Sequence, residues 1–133
     1  MKTKPFMTHE DVTRILIAAR QEAQKNNWAV SIVVVDDGGH PLALDRLDGC
    51  AAIGAYVATE KARSAALGRR ESKQYEDMIN GGRNAFLSVP VLQGMLEGGV
   101  PIIVDGHVVG AVGVSGVKSD QDAQVAKAGA QAA

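Results

Sequence analysis

Apolar positions in the first third of the chain recur at helical spacing and then collapse into a short continuous run. Over residues 8–26, "THEDVTRILIAARQEAQKN", Val12, Ile15, Leu16, Ala19 and Ala23 lie three and four residues apart, which places them on one face of a helix. Thr8 stands at the N-cap position with Asp11 three residues later, the spacing of a capping box. Asn26 and Asn27 are natural stop residues. The run 30–35, "VSIVVV", is rich in β-formers, and "DDGGH" then "PLALDRL" follow it. Asp-Gly and Gly-Gly between two strand-like segments predict a hairpin. Pro41 fits the start of a strand or an edge strand, because it cannot donate to a central ladder.

The pattern then returns to helix over residues 51–67, "AAIGAYVATEKARSAAL", with Gly68 as the expected residue just past the end. So many alanines let another surface approach this helix closely. Residues 69–96 carry no clear period: a short helix over Ser72–Met78, a turn at "GGRNAF" and an irregular stretch around Pro90 are expected. From Gly98 to Gly116, "GGVPIIVDGHVVGAVGVSG" reads as a hairpin with Asp105-Gly106 as a type I′ turn. That turn sets Val104 opposite His107, Ile103 opposite Val108 and Ile102 opposite Val109. Strand alternation then puts His107, Val109, Ala111, Gly113 and Ser115 on one face. Side chains shrink along this face, which leaves room for a helix, another subunit or a ligand. A last helix, "SDQDAQVAKAGAQAA", is expected with Ser119 as its cap and Asp122 three residues on.

Helices alternating with hairpins predict an α/β protein of the α+β type, with a central, largely antiparallel sheet flanked by helices, in one domain over residues 1–133. The two hairpins echo each other: "VVVDDGGHPLAL" and "PIIVDGHVVGAV" both set a histidine beside an Asp-Gly turn, as two hairpins of similar chemistry would without duplication.

Composition narrows the functions. The chain has 14 basic and 15 acidic residues, a balance that argues against a nucleic-acid surface, and no block of like charge suggests a membrane partner. No stretch is long and apolar enough to span a bilayer, and the N-terminus lacks the apolar run of a secretory signal, so the cytoplasm is expected. Cys50 is the only cysteine, which rules out an internal disulfide. There is no Cys-x-x-Cys, no His-Glu-x-x-His and no P-loop, so no metal centre or nucleotide site is predicted.

The remaining chemistry rests on single residues. His9, His40 and His107 are the three histidines, the residue type suited to ligation or acid–base work, and the last two adjoin hairpin turns. Lys61 sits mid-helix among small residues, where it could hold an anion or move a proton, and Arg46 near the end of the second strand could hold a carboxylate. Gly98 and Gly99, in "EGGVP", free the backbone to approach a ligand or present N–H donors. Lys61 is expected at the edge of its helix face, with a role in binding rather than folding.

Three segments in this order, "VSIVVVDDGGHPLALDRLDGC", "ATEKARSAAL" and "EGGVPIIVDGHVVGAVGVSGVKSDQDAQVAKAG", resemble the GlcG/HbpS-like family, related to the C-terminal domain of PduO-type corrinoid proteins. The resemblance runs from about residue 8 to about residue 130. It implies a profilin-like domain that forms homo-oligomers, haem as a cofactor in some members, and association with small-molecule metabolism in others. The family pattern covers Asp36, Lys61 and Ser115 as functional candidates, with Gly98 and Gly99 among its glycines.

The function the resemblance implies is a haem- or tetrapyrrole-binding accessory protein associated with small-molecule metabolism, with haem degradation as a further activity the family label suggests. One histidine would ligate the haem, His107 being first among the three. Two alternatives stand beside it: a small-molecule isomerase or tautomerase acting on an organic acid, and a non-catalytic assembly or chaperone domain for a metabolic enzyme.

Overall fold

The computed structural model describes residues 1–133. The chain runs α1 (His9–Lys25), β1 (Ser31–Asp36), β2 (Pro41–Arg46), α2 (Ile53–Gly68), α3 (Ser72–Asn80), a 3-10 turn (Asn84–Ser88), β3 (Gly99–Val104), β4 (His107–Ser115) and α4 (Ser119–Ala130). The two hairpins join side by side in the order β2-β1-β4-β3, antiparallel throughout. The α+β class and the antiparallel sheet are as the sequence predicts.

Why β1 is a continuous apolar run is now plain: it is a central strand with both faces covered. Ile32 and Val34 join Ile15, Ala19, Val112, Val114, Val125 and Ala126 in the core beneath α1 and α4. Val33 and Val35 point the other way, into a smaller core with Ala58, Ala62, Ala65, Ala66 and Ala111 beneath α2. Alanine in α2 and glycine in β4 let this second layer close tightly. A side chain at Gly113 would put its Cβ 2.1 Å from the Ala58 carbonyl oxygen and 2.5 Å from the Ala62 nitrogen. The small-residue face of β4 is thus the bed of α2. A helix, rather than a ligand, fills the room predicted there.

The predicted caps are partly met. Thr8 Oγ1 accepts from the Asp11 N–H, and an Asp11 carboxylate oxygen accepts from the Thr8 N–H at 2.7 Å, so α1 carries the expected capping box. In α4 the expected box is displaced by one residue: Lys118 is the cap, its N–H donates to Gln121, and Asp122 turns inward instead. Gly68 is the last residue of α2 rather than the one beyond, and Arg69 takes the left-handed conformation at φ +55°. Glycine at 68 has a packing cause, since a Cβ there would lie 1.9 Å from the Tyr75 hydroxyl oxygen.

Asp105 and Gly106 both have positive φ, +52° and +78°, as a type I′ turn requires. Val104 opposite His107 and Ile103 opposite Val108 are as predicted, but Ile102 pairs with Gly110, not Val109. Val109 is an extra residue, a β-bulge that sends its side chain into the core beneath α1 and α4. The face predicted to run from His107 through Val109 to Ser115 is therefore broken at the bulge. A second bulge lies between Val34 and Val35, opposite Leu42, and Pro41 opens the edge strand β2.

Candidate functional site

Most of the sequence candidates fall into three places. The first is a buried knot around Lys61. Its helix is alanine-rich almost all round, so no apolar stripe marks which side faces inward, and Lys61 proves to be 3% exposed rather than at an edge. Its Nζ donates to the Val114 carbonyl at 3.0 Å and to Asp122 Oδ2 at 3.0 Å. Asp122 Oδ1 accepts from the Val117 N–H. Burial raises the Asp122 carboxyl above its ordinary range, and the Lys61 charge and the Val117 N–H offset this only in part. Gly98 and Gly99 wrap the same lysine: a Cβ at Gly98, φ +131°, would lie 2.8 Å from Nζ, and one at Gly99 would lie 2.2 Å from the Lys61 carbonyl oxygen. Ser72 Oγ accepts from the Gly99 N–H and donates to the Leu96 carbonyl. The structure brings Lys61, Gly98 and Gly99 together, but as a tie between α2, β4 and α4, with the amine shut from solvent.

The second place is the start of β1. Arg46 and Ser115 pair across the sheet with Ser31 between them. Arg46 Nε donates to the Cys50 carbonyl at 3.2 Å, and the buried Cys50 Sγ lies 3.3 Å from Ser31 Oγ. Ser31 and Cys50 carry no site signal in the sequence, and here they complete a packed corner beside Gly54 at the start of α2.

The third place is the opposite end of the sheet, where the β1–β2 and β3–β4 turns come out side by side, since Asp36 pairs with Gly110. Asp36 Oδ1 accepts from the N–H groups of Gly38 and His40, each at 2.9 Å, and closes the turn. The His40 Nδ1 lies 3.1 Å from the same oxygen. Partial burial pushes the Asp36 carboxyl up, but the His40 and Gly38 N–H groups and the His40 ring outweigh it and hold the group below its usual range. An ionised Asp36 must receive a proton from Nδ1, so Nε2 of His40 is the free, unprotonated nitrogen of the neutral ring. The side chain is 78% exposed. A carboxylate holding one ring nitrogen while the other faces outward is the arrangement that prepares an imidazole to ligate a metal.

His107 is half-buried beside its turn and His9 is exposed as the first residue of α1; neither ring has a carboxylate or carbonyl partner. Around the His40 turn, Lys4 pairs with Asp37, and Phe6 and Leu42 are exposed beside a recess of about 30 Å³ that Met7 and Val109 also line. On the other flank Gly39 packs on α2, where its Cβ would lie 2.9 Å from Arg63 Cγ and 3.5 Å from Leu67 Cγ. No three His, Cys, Asp or Glu side chains converge on one point, and no helix is long and apolar enough to cross a membrane.

Helices on both faces of a four-stranded antiparallel sheet, with a carboxylate-held histidine at an exposed turn, define a small α+β domain. The chain belongs to the family described as "Haem degrading protein HbpS-like", whose model matches residues 7–131. It is 61% identical over 115 residues to Protein GlcG of Escherichia coli K12, covering 86% of this chain and 85% of that one. Among solved structures it resembles a double mutant of Streptomyces reticuli HbpS, with a TM-score of 0.88 and 30% identity over 98% of this chain and 89% of that one. A crystal structure of a PduOC:heme complex shares the fold, with a TM-score of 0.84 at 23% identity over 97% of this chain and 96% of that one.

Proposed function

We propose that this protein binds haem non-covalently through His40, as an accessory protein of small-molecule metabolism in the cytoplasm. The observation that carries the reading is the His40–Asp36 contact at 3.1 Å, with the second ring nitrogen free and exposed. Haem iron held by a protein without covalent attachment takes a His, Cys, Met or Tyr ligand. Cys50 is buried, while His40 is both exposed and already oriented. The family description and the haem complex of the PduOC relative point the same way. Lys61, the base that an isomerase reading would use, is engaged by Asp122 and Val114 and faces no open space.

The recess beside the His40 turn is far too small for a macrocycle. Haem on His40 would lie on the surface, and a second copy of the chain would be needed to cover its outer face. Leu44, Ile53 and Tyr56 add exposed apolar area, 51%, 65% and 74% exposed, which a homo-oligomer would bury. Native mass spectrometry of protein expressed with haem supplied tests both parts. Retained haem in an assembly of more than one chain supports the reading. A haem-free protein that also gives no Soret band on titration with haem overturns it.

A further inference from the structure

Four of the seven arginines make no ion pair, and three of these, Arg69, Arg70 and Arg83, gather around the ends of α2 and α3. They are held in place without carboxylates. The Arg70 guanidinium lies 5.3 Å from the centroid of the Tyr75 ring, and the Arg83 guanidinium 5.1 Å from that of Phe86. The two rings are 5.7 Å apart and tilted by 57°, so a braced aromatic pair carries a guanidinium on each member. Arg70 Nε donates to the Gly68 carbonyl, which leaves its terminal nitrogens free. Arg69 is exposed at φ +55°.

Two nearby acids are already engaged by lysines. Asp77 takes Lys73 at 2.8 Å and Glu71 faces Lys127 at 3.5 Å. The other cations next to the His40 turn are engaged too, Lys4 by Asp37 and Arg63 by Glu60. Gly39 packs on Arg63 and Leu67, in the last turns of α2, and Arg69 and Arg70 follow directly. This arginine group is thus a cluster of unpaired positive charge that begins two residues beyond the turn of α2 on which Gly39, next to His40, packs.

We propose that Arg69, Arg70 and Arg83 form the anion-binding part of the site and take the carboxylates of the bound tetrapyrrole, an inference that rests on the haem reading above. Guanidinium suits this role because it is always charged, is weakly hydrated for a cation, and offers paired N–H donors that match a carboxylate. Exposed ion pairs are individually weak, so the group together should be worth about tenfold in affinity.

The test titrates iron protoporphyrin IX and its dimethyl ester, which lacks the charged carboxylates, into wild type, R69A/R70A and R83A. All three arginines are exposed, and a thermal melt of each variant precedes the titration. Wild type should bind the diacid about tenfold tighter than the diester. Each variant should lose most of that difference while keeping the Soret position set by the histidine. R83A lies outside the end of α2, so it reports even where R69A/R70A disturbs the helix cap. A wild-type diacid preference in both variants, or no preference in wild type, overturns the arginine site and leaves histidine ligation standing. The absence of a Soret band with either compound in wild type overturns the haem reading and this inference with it.

Discussion

Lys61 Nζ lies 3.0 Å from Asp122 Oδ2, with both side chains almost fully shut off from solvent. The contact joins residues of α2 and α4 across the end of β4, whose Val114 carbonyl takes a second bond from the same amine. Two charges removed from water are tolerable only as a pair, and removing one strands the other.

Lys61→Ala should therefore cost stability, about 3–5 kcal/mol, and so should Asp122→Ala. Replacing both at once with apolar residues, as in K61M/D122L, should cost less than the sum of the single changes. Urea unfolding of the four proteins measures this. A Lys61→Ala protein within about 0.5 kcal/mol of wild type would make the pair an ordinary surface contact.

Gly113→Ala should destabilise by about 1–3 kcal/mol, because a methyl at that position meets the α2 backbone and not a movable side chain. The same unfolding assay reads it. Wild-type stability would mean that α2 does not lie directly on β4.

At Gly106 the cause is different. Nothing lies within 4 Å of a Cβ built there, so only its φ of +78° resists a side chain. Gly106→Val should cost about 1–3 kcal/mol, while Gly106→Asn should cost less, since asparagine enters the left-handed region readily. Equal losses for the two variants would contradict a purely conformational origin.

The capping box of α1 has a pH signature. The Thr8 N–H, then the Arg14 guanidinium, lower the Asp11 carboxyl from 3.8 to about 2. A carboxyl lowered in the folded state contributes stability that is complete above its unfolded value and fades as the pH falls through its folded value. The difference in melting temperature between wild type and Asp11→Asn should thus hold steady above about pH 4 and shrink toward pH 2. A difference that persists unchanged at pH 2 would contradict this assignment.

Which features are legible in the sequence follows from how far their causes reach. The α1 box and the Asp105-Gly106 turn are set by residues within four positions, and both stand as predicted. Asp122 reads locally as a helix-start acid because its true partner, Lys61, is 61 residues away. Lys61 escapes placement for the same reason, with no apolar stripe in α2 to show which side turns inward. The Val109 bulge has no local signal, since it depends on how β3 and β4 settle over the core. The His40–Asp36 contact does have one: an aspartate ahead of two glycines and a histidine is an Asx-turn pattern, and a turn that tight brings the ring back to the carboxylate.

Histidine ligation is the claim on which the functional reading stands. Haem titrations of wild type, His40→Ala, His107→Ala and His9→Ala, read by Soret position and affinity, test it most directly. Only His40→Ala should lose the histidine-ligated spectrum. Asp36→Asn, which removes the charge holding Nδ1, should keep the band but bind about 10–100-fold more weakly. A wild-type spectrum and affinity in His40→Ala would contradict ligation by this residue.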